Sequence, residues 1–177
     1  MYKRQPEDAL AVARIFVNTN IAAAGGAVAV TLASQLFYRR LDLTLILNGA
    51  LAGLVSITAE PVAPTAIQAL SIGAVGGVLM MAGARALEQL LLDDVVGAIP
   101  VHLVAGIWGT AAVVISNPEA VLWVQLAGAA GIGAFAFATS IIIWTVLRRT
   151  IGIRLKRHHE NAGGDMVEVG MRAYNIV

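Results

Sequence analysis

Long stretches without Asp, Glu, Lys or Arg alternate with short polar connections along this chain. The stretches are Ile15–Tyr38, Leu43–Ala59, Pro61–Ala84, Val95–Pro118 and Ala120–Leu147. A helix that crosses the hydrocarbon layer needs roughly 20 mostly apolar residues. Five such runs predict five transmembrane helices. They show no strict alternation and are rich in Ala, Gly and Leu, which excludes the short alternating strands of a β-barrel. The connections Arg39–Asp42, Glu60–Pro64, Arg85–Asp94 and Ser116–Glu119 read as turns. The second run is short unless Leu41 and Asp42 begin its helix, and the fifth is long enough to tilt. The expected fold is all-α, a polytopic membrane helix bundle of five transmembrane helices. Residues 6–149 form that region, and 150–177 form a tail whose basic character begins at Arg148.

Composition sharpens this picture. Of the 177 residues, 58% are hydrophobic and 13% charged, about half the charged share of a soluble domain. The net charge of +1 offers no basic face for nucleic acid. The absence of cysteine removes disulfides, thiol nucleophiles and thiolate metal sites. No cleavable signal peptide is visible, because Glu7 and Asp8 interrupt the approach to the first apolar run. Met1–Gln5 is expected to be a non-native scar, which would make the chain a truncated reading frame.

Basic residues gather on the cytoplasmic side of membrane loops. The first loop carries Arg39 and Arg40, the third Arg85, and the tail opens with Arg148, Arg149, Arg154, Lys156 and Arg157, whereas the second and fourth loops have neither Lys nor Arg. Five spans then place the C-terminus in the cytoplasm and the Glu60 and Glu119 loops outside, in a cell (inner) membrane. Gly49 with Gly53, Gly73 with Gly77, and Gly106 with Gly109 are spaced for close helix contact.

One residue in the spans points to chemistry. His102 lies within the run Val95–Pro118, and an ionisable group at that depth usually faces a bundle interior or a water path. Neutral imidazole carries one donor and one acceptor, and it exchanges a proton near neutral pH. No second mid-membrane ionisable group accompanies it, so its partner is expected outside these residues. Asn18, Thr19, Asn20, Asn48 and Gln125 read as interhelical contacts. Thr58 and Glu60 mark a candidate outer mouth, although a solvated loop carboxylate is the plainer reading. Asp93-Asp94 suit the positive N-terminus of the fourth helix or cap it. His158 and His159 read as solvated. No phosphate loop, catalytic triad or carboxylate pair supports an enzyme, and no cofactor or metal is called for.

Several segments resemble successive signatures of the Amt/Mep/Rh ammonium transporter family. They are Phe16–Asn20, Leu47–Val55, Ile57–Ala59, Asp93-Asp94, Gly97–His102, Gly106–Gly109, Gly152–Arg154 and Ala173-Tyr174. The resemblance runs along essentially the whole chain after Gln5. It implies a partial ammonium-transporter fold, the last five of eleven transmembrane helices plus the cytoplasmic tail. In that family two halves enclose one pore per subunit of a homotrimer, and two luminal histidines pass ammonia species through it. His102 falls on the second of the pair, while the first histidine and the aromatic recruitment site belong to the missing half. The substrate implied is ammonium or ammonia, deprotonated before it crosses a hydrophobic pore. The tail, through Gly152, Arg154 and Tyr174, corresponds to a region that docks a PII-type regulator. The chain departs from the family at Val95, where Pro is usual, at Leu103, where Gly often follows the histidine, and at Val169 and Met171, which put regulator docking in doubt. By this reading the isolated chain is inactive. A channel for another small solute or ion, or a structural membrane subunit, remains the alternative.

Overall fold

The computed structural model describes residues 6–171, with side chains from residue 9 onward. Every regular element among them is helical, in the order α1 (Pro6–Tyr38), α2 (Leu43–Ile57), α3 (Ala66–Gln89), a π-helical segment (Ile99–Val104), α4 (Ala105–Ser116), α5 (Leu122–Thr150), α6 (Arg157–Ala162) and α7 (Gly164–Glu168). The expected scar at Met1–Gln5 lies outside the described residues. The chain divides into two units, one ending at Ala130 and one beginning at Gly131.

Four helical segments are long and apolar enough to cross a membrane: Ala9–Tyr38, Ala66–Gln89, Ile99–Ser116 and Leu122–Thr150. The remaining apolar helix, α2, has 15 residues, which at 1.5 Å per residue gives about 22 Å against a hydrocarbon layer of about 30 Å. Leu41 and Asp42 do not extend it. Asp42 is its N-cap, and the carboxylate accepts from Leu45 N–H at 3.1 Å. At its other end Thr58 caps the helix.

Within the first unit, α1, α2 and α3 pack together through their small residues. A Cβ on Gly53 or on Gly73 would collide with the Ala22 carbonyl, and one on Gly77 would lie 2.8 Å from the Gly26 carbonyl. A Cβ on Gly49 would lie 2.7 Å from the Val30 side chain. The Gly49/Gly53 and Gly73/Gly77 pairs therefore face the same strip of α1, from Ala22 to Val30. In lipid, where helices gain no hydrophobic attraction for each other, such close approach is what holds backbones together. A Cβ on Gly109 would likewise lie 2.6 Å from the Ser56 carbonyl, but one on Gly106 would make only ordinary contact with Val55.

Side-chain hydrogen bonds fix the ends of this bundle. Asn18 is buried in α1 and donates to the carbonyls of Pro61 and Pro64, both at 2.9 Å. Asn48 donates to Val96 at 3.1 Å. These two asparagines hold loops, not neighbouring helices, because a loop carbonyl has no helical partner of its own. Thr19 and Asn20 bond back to carbonyls of their own helix. Thr65 and Gln68 form a reciprocal capping box that starts α3, and Gln68 also reaches the Ile115 carbonyl at 3.0 Å.

In the second unit, α5 continues to Thr150, and none of its residues is buried among the described residues. The short helices α6 and α7 follow, with the Arg154 guanidinium paired to Glu160 at 2.5 and 3.2 Å. That pairing raises the Arg154 pKa and lowers the Glu160 carboxyl, in each case chiefly through the shared hydrogen bonds.

Candidate pore-lining site

His102 sits in the π-helical segment, where the chain widens by one residue per turn before α4 begins. Local sequence explains the irregularity. Pro100 lacks an N–H and donates no helical bond, while its carbonyl accepts from Ala105 N–H five residues on. Ahead of it, Gly97 adopts φ +74°, a left-handed conformation suited to glycine. A Cβ there would also lie 2.6 Å from the Asn48 amide nitrogen. The Asp94 carboxylate accepts from Ala98 N–H at 2.9 Å and Ile99 N–H at 2.8 Å, satisfying two donors at the helix start. The capping role expected of the Asp93-Asp94 pair is thus carried by Asp94. π-Helical turns are rare and frequent at functional positions.

The segment is clamped on one side and open on the other. Pro100, Val101, Ala105 and Gly109 are buried, with Val101 and Ala105 in the core shared with α1, α2 and α3. Trp108 reinforces the clamp by donating its indole N–H to the Ile72 carbonyl at 2.9 Å. His102, Leu103 and Ile107 are exposed. No group among the described residues hydrogen-bonds the His102 side chain. The sequence signal for this geometry was Pro100 beside Gly97, two helix-disfavouring residues just ahead of the histidine.

The other candidate residues lie apart from His102. The Thr58 hydroxyl donates to the Val55 carbonyl at 2.7 Å, and Glu60 accepts from Ala63 N–H at 3.3 Å. Glu60 borders Ala112, Val113 and Ser116, so about ten residues of helix, or roughly 15 Å, separate it from the level of His102. At the opposite end Arg40, Asp42, Arg85, Glu88 and Asp94 share one cleft of about 360 Å³. The basic first and third loops therefore occupy one end of the unit, with Glu60 and Ser116 at the other. In the tail, Gly152 adopts φ +82° and Arg154 is engaged by Glu160. Tyr174 and Ala173 lie outside the described residues. Val169 and Met171 are exposed.

Long apolar helices packed through glycine, with an ionisable side chain on an irregular turn in the fourth, define a polytopic α-helical membrane protein. Comparison with known proteins takes this further: the model of the Ammonium Transporter Family matches residues 4–174, and the chain belongs to that family. It is 37% identical over 185 residues to ammonium transporter Amt2 of Archaeoglobus fulgidus, with 93% of this chain and 40% of the relative covered. Over 169 residues it is 30% identical to ammonium transporter Amt1 of Haloferax mediterranei, covering 93% of this chain and 33% of that one. Among solved structures, one described as a sensor Amt protein superposes with a TM-score of 0.84 at 27% identity, over 90% of this chain and 42% of the other. The chain thus spans between a third and about two-fifths of the length of these relatives.

Proposed function

We propose that this chain supplies one wall of a transmembrane ammonium/ammonia pore, with His102 as its luminal hydrogen-bonding group. The observation that carries the reading is the exposed imidazole on a clamped π-helical turn, unpartnered among the described residues, in a member of this family. Ammonium and potassium are of similar size, so charge alone cannot separate them. An apolar lumen penalises any bare cation by several kcal/mol or more. Ammonium escapes that penalty by giving its proton to a hydrogen-bonded histidine and crossing as ammonia. His102 does this together with a second histidine supplied from outside these residues.

The reading includes a homotrimer in a cell membrane, an outer mouth beside Thr58 and Glu60, and a cytoplasmic C-terminus, supported by the shared end of the Arg40 and Arg85 loops. A PII-type regulator at Gly152, Arg154 and Tyr174 has weaker support, since Arg154 is already paired. The protein moves its substrate and does not transform it, so no cofactor enters. In a complete transporter carrying this sequence, His102→Ala is expected to reduce ammonium-dependent current by roughly 100-fold, as for the loss of a positioned proton acceptor. Unchanged current and unchanged selectivity over potassium would sink the role.

A further inference from the structure

α2 lies beside the segment that carries His102 and touches it at both ends. Near its start, Asn48 donates to the Val96 carbonyl at 3.1 Å. About two turns on, the Ser56 hydroxyl stands 3.4 Å from the Ala105 carbonyl, and a Cβ on Gly109 would lie 2.6 Å from the Ser56 carbonyl. The contacts follow in the same order along both elements, so α2 and this segment run parallel. Asn48, Ala52 and Ser56 are spaced by four residues and share one face of the helix. At 1.5 Å per residue the outer two lie about 12 Å apart along its axis. Ala52, between them, is fully buried in one core with Val101 and Ala105.

These two contacts bracket the histidine. Upstream, Val101 N–H donates to the Gly97 carbonyl at 3.1 Å, and Gly97 directly follows the Val96 carbonyl that Asn48 holds. Downstream, Ala105 N–H is shared by the carbonyls of Pro100 and His102, and Ala105 is fully buried. The two ends are not equally secured. Downstream, backbone packs on backbone at Gly109 and Ser56. Upstream there is a loop, with Gly97 in the left-handed region. A Cβ on Gly97 would lie 2.6 Å from the Asn48 amide nitrogen, so the amide rests on the Gly97 backbone as well as holding the Val96 carbonyl. Asp94 caps Ala98 and Ile99, but it belongs to the same loop and cannot by itself register the turn against the bundle. Asn48 can, because it stands on a different helix. We propose that Asn48 is a positioning residue for His102, fixing the start of the π-helical turn against α2 so that the imidazole is held in one orientation. The consequence for transport rests on the pore-lining role of His102; the orientation itself does not.

The test follows the His102 ring in the full 177-residue chain by NMR in neutral detergent. His158→Gln with His159→Gln removes the other two histidines, so that the ring Hε1 signal reports on His102 alone. In that background the chain with Asn48 intact should give a single signal. Asn48→Ala, which removes the amide, should split or broaden it. Asn48→Asp keeps the volume but offers the Val96 carbonyl no donor. It should do the same, and it gives a second reading if the alanine variant does not fold. Asn18→Ala removes two loop bonds at the other end of the bundle; it should lower the melting temperature and leave the signal single. In a complete transporter carrying this sequence, Asn48→Asp should lower the maximal ammonium-dependent current by about tenfold, with the half-saturating concentration changed by less than about twofold. A single signal of native width in both Asn48 variants would overturn the positioning. So would equal splitting in Asn18→Ala, or loss of helical structure in both Asn48 variants. A split signal with unchanged maximal current would instead refute the pore-lining role of His102 and leave the positioning in place.

Discussion

Gly97 bears two constraints at once, a left-handed backbone and the Asn48 amide 2.6 Å from where a Cβ would stand. Gly97→Ala should therefore cost about 1–3 kcal/mol and lower the melting temperature in detergent, and an unchanged melting curve would contradict the geometry. Ser34 gives the opposite expectation. It is fully buried and its hydroxyl has no hydrogen-bond partner among the described residues. An unsatisfied buried hydroxyl costs about 1–3 kcal/mol, so Ser34→Ala should leave the melting temperature unchanged or raise it. At this scale the sequence was partly legible. His102 stood out because ionisable groups are rare at membrane depth, and Asp94 because acidic residues suit helix starts. The loop-holding roles of Asn18 and Asn48 were not, since an asparagine in an apolar run does not reveal whether its partner is a helix or a loop.

The helices differ in how tightly the chain itself holds them. A Cβ on Gly73 would meet backbone of α1, which cannot rotate away, whereas one on Gly131 of α5 would meet nothing within 4 Å among the described residues outside its own helix. In this chain, Gly73→Leu should cost more than about 3 kcal/mol through overpacking, and Gly131→Leu should be tolerated. Unfolding of both variants in detergent checks the contrast, and equal losses would refute it. The glycine spacing in the sequence announced close packing, but not that both pairs would meet the same strip of α1. The π-helical turn was signalled by Gly97 and Pro100 but could not be read from either alone. Apolar run length and periodicity fix a helix to within a turn or so, while a one-residue widening depends on Pro100, Gly97 and the Asp94 cap acting together. Likewise the shortness of α2 hinged on whether Asp42 would extend the helix or cap it.

At the scale of the molecule, the bundle and the tail respond to different conditions. Glu160 has its carboxyl pKa lowered by Arg154, so the pairing is fully present above the ordinary carboxylate range and is lost as pH falls through the lowered value. Arg154, with its pKa raised, loses its share only at pH beyond the ordinary arginine range. Acidification through the lowered Glu160 value should therefore release Arg154 in the tail, whereas the glycine contacts between α1, α2 and α3 involve no ionisable side chain. Amide exchange at residues 154–168, followed as pH is lowered, checks the release. Conduction is the larger question. The clamp on Pro100, Val101 and Ala105 comes from within the chain, yet His102, Leu103 and Ile107 are exposed. A narrow lumen needs an opposing wall, and without one an imidazole meets lipid or water and discriminates nothing. The 177-residue chain reconstituted alone should accordingly show no saturable methylammonium uptake. The same vesicles supplemented with a first-half fragment from a complete homologue should recover it, and His102→Ala should abolish that recovery. Saturable uptake by the chain alone would mean that copies of it furnish the missing wall for one another.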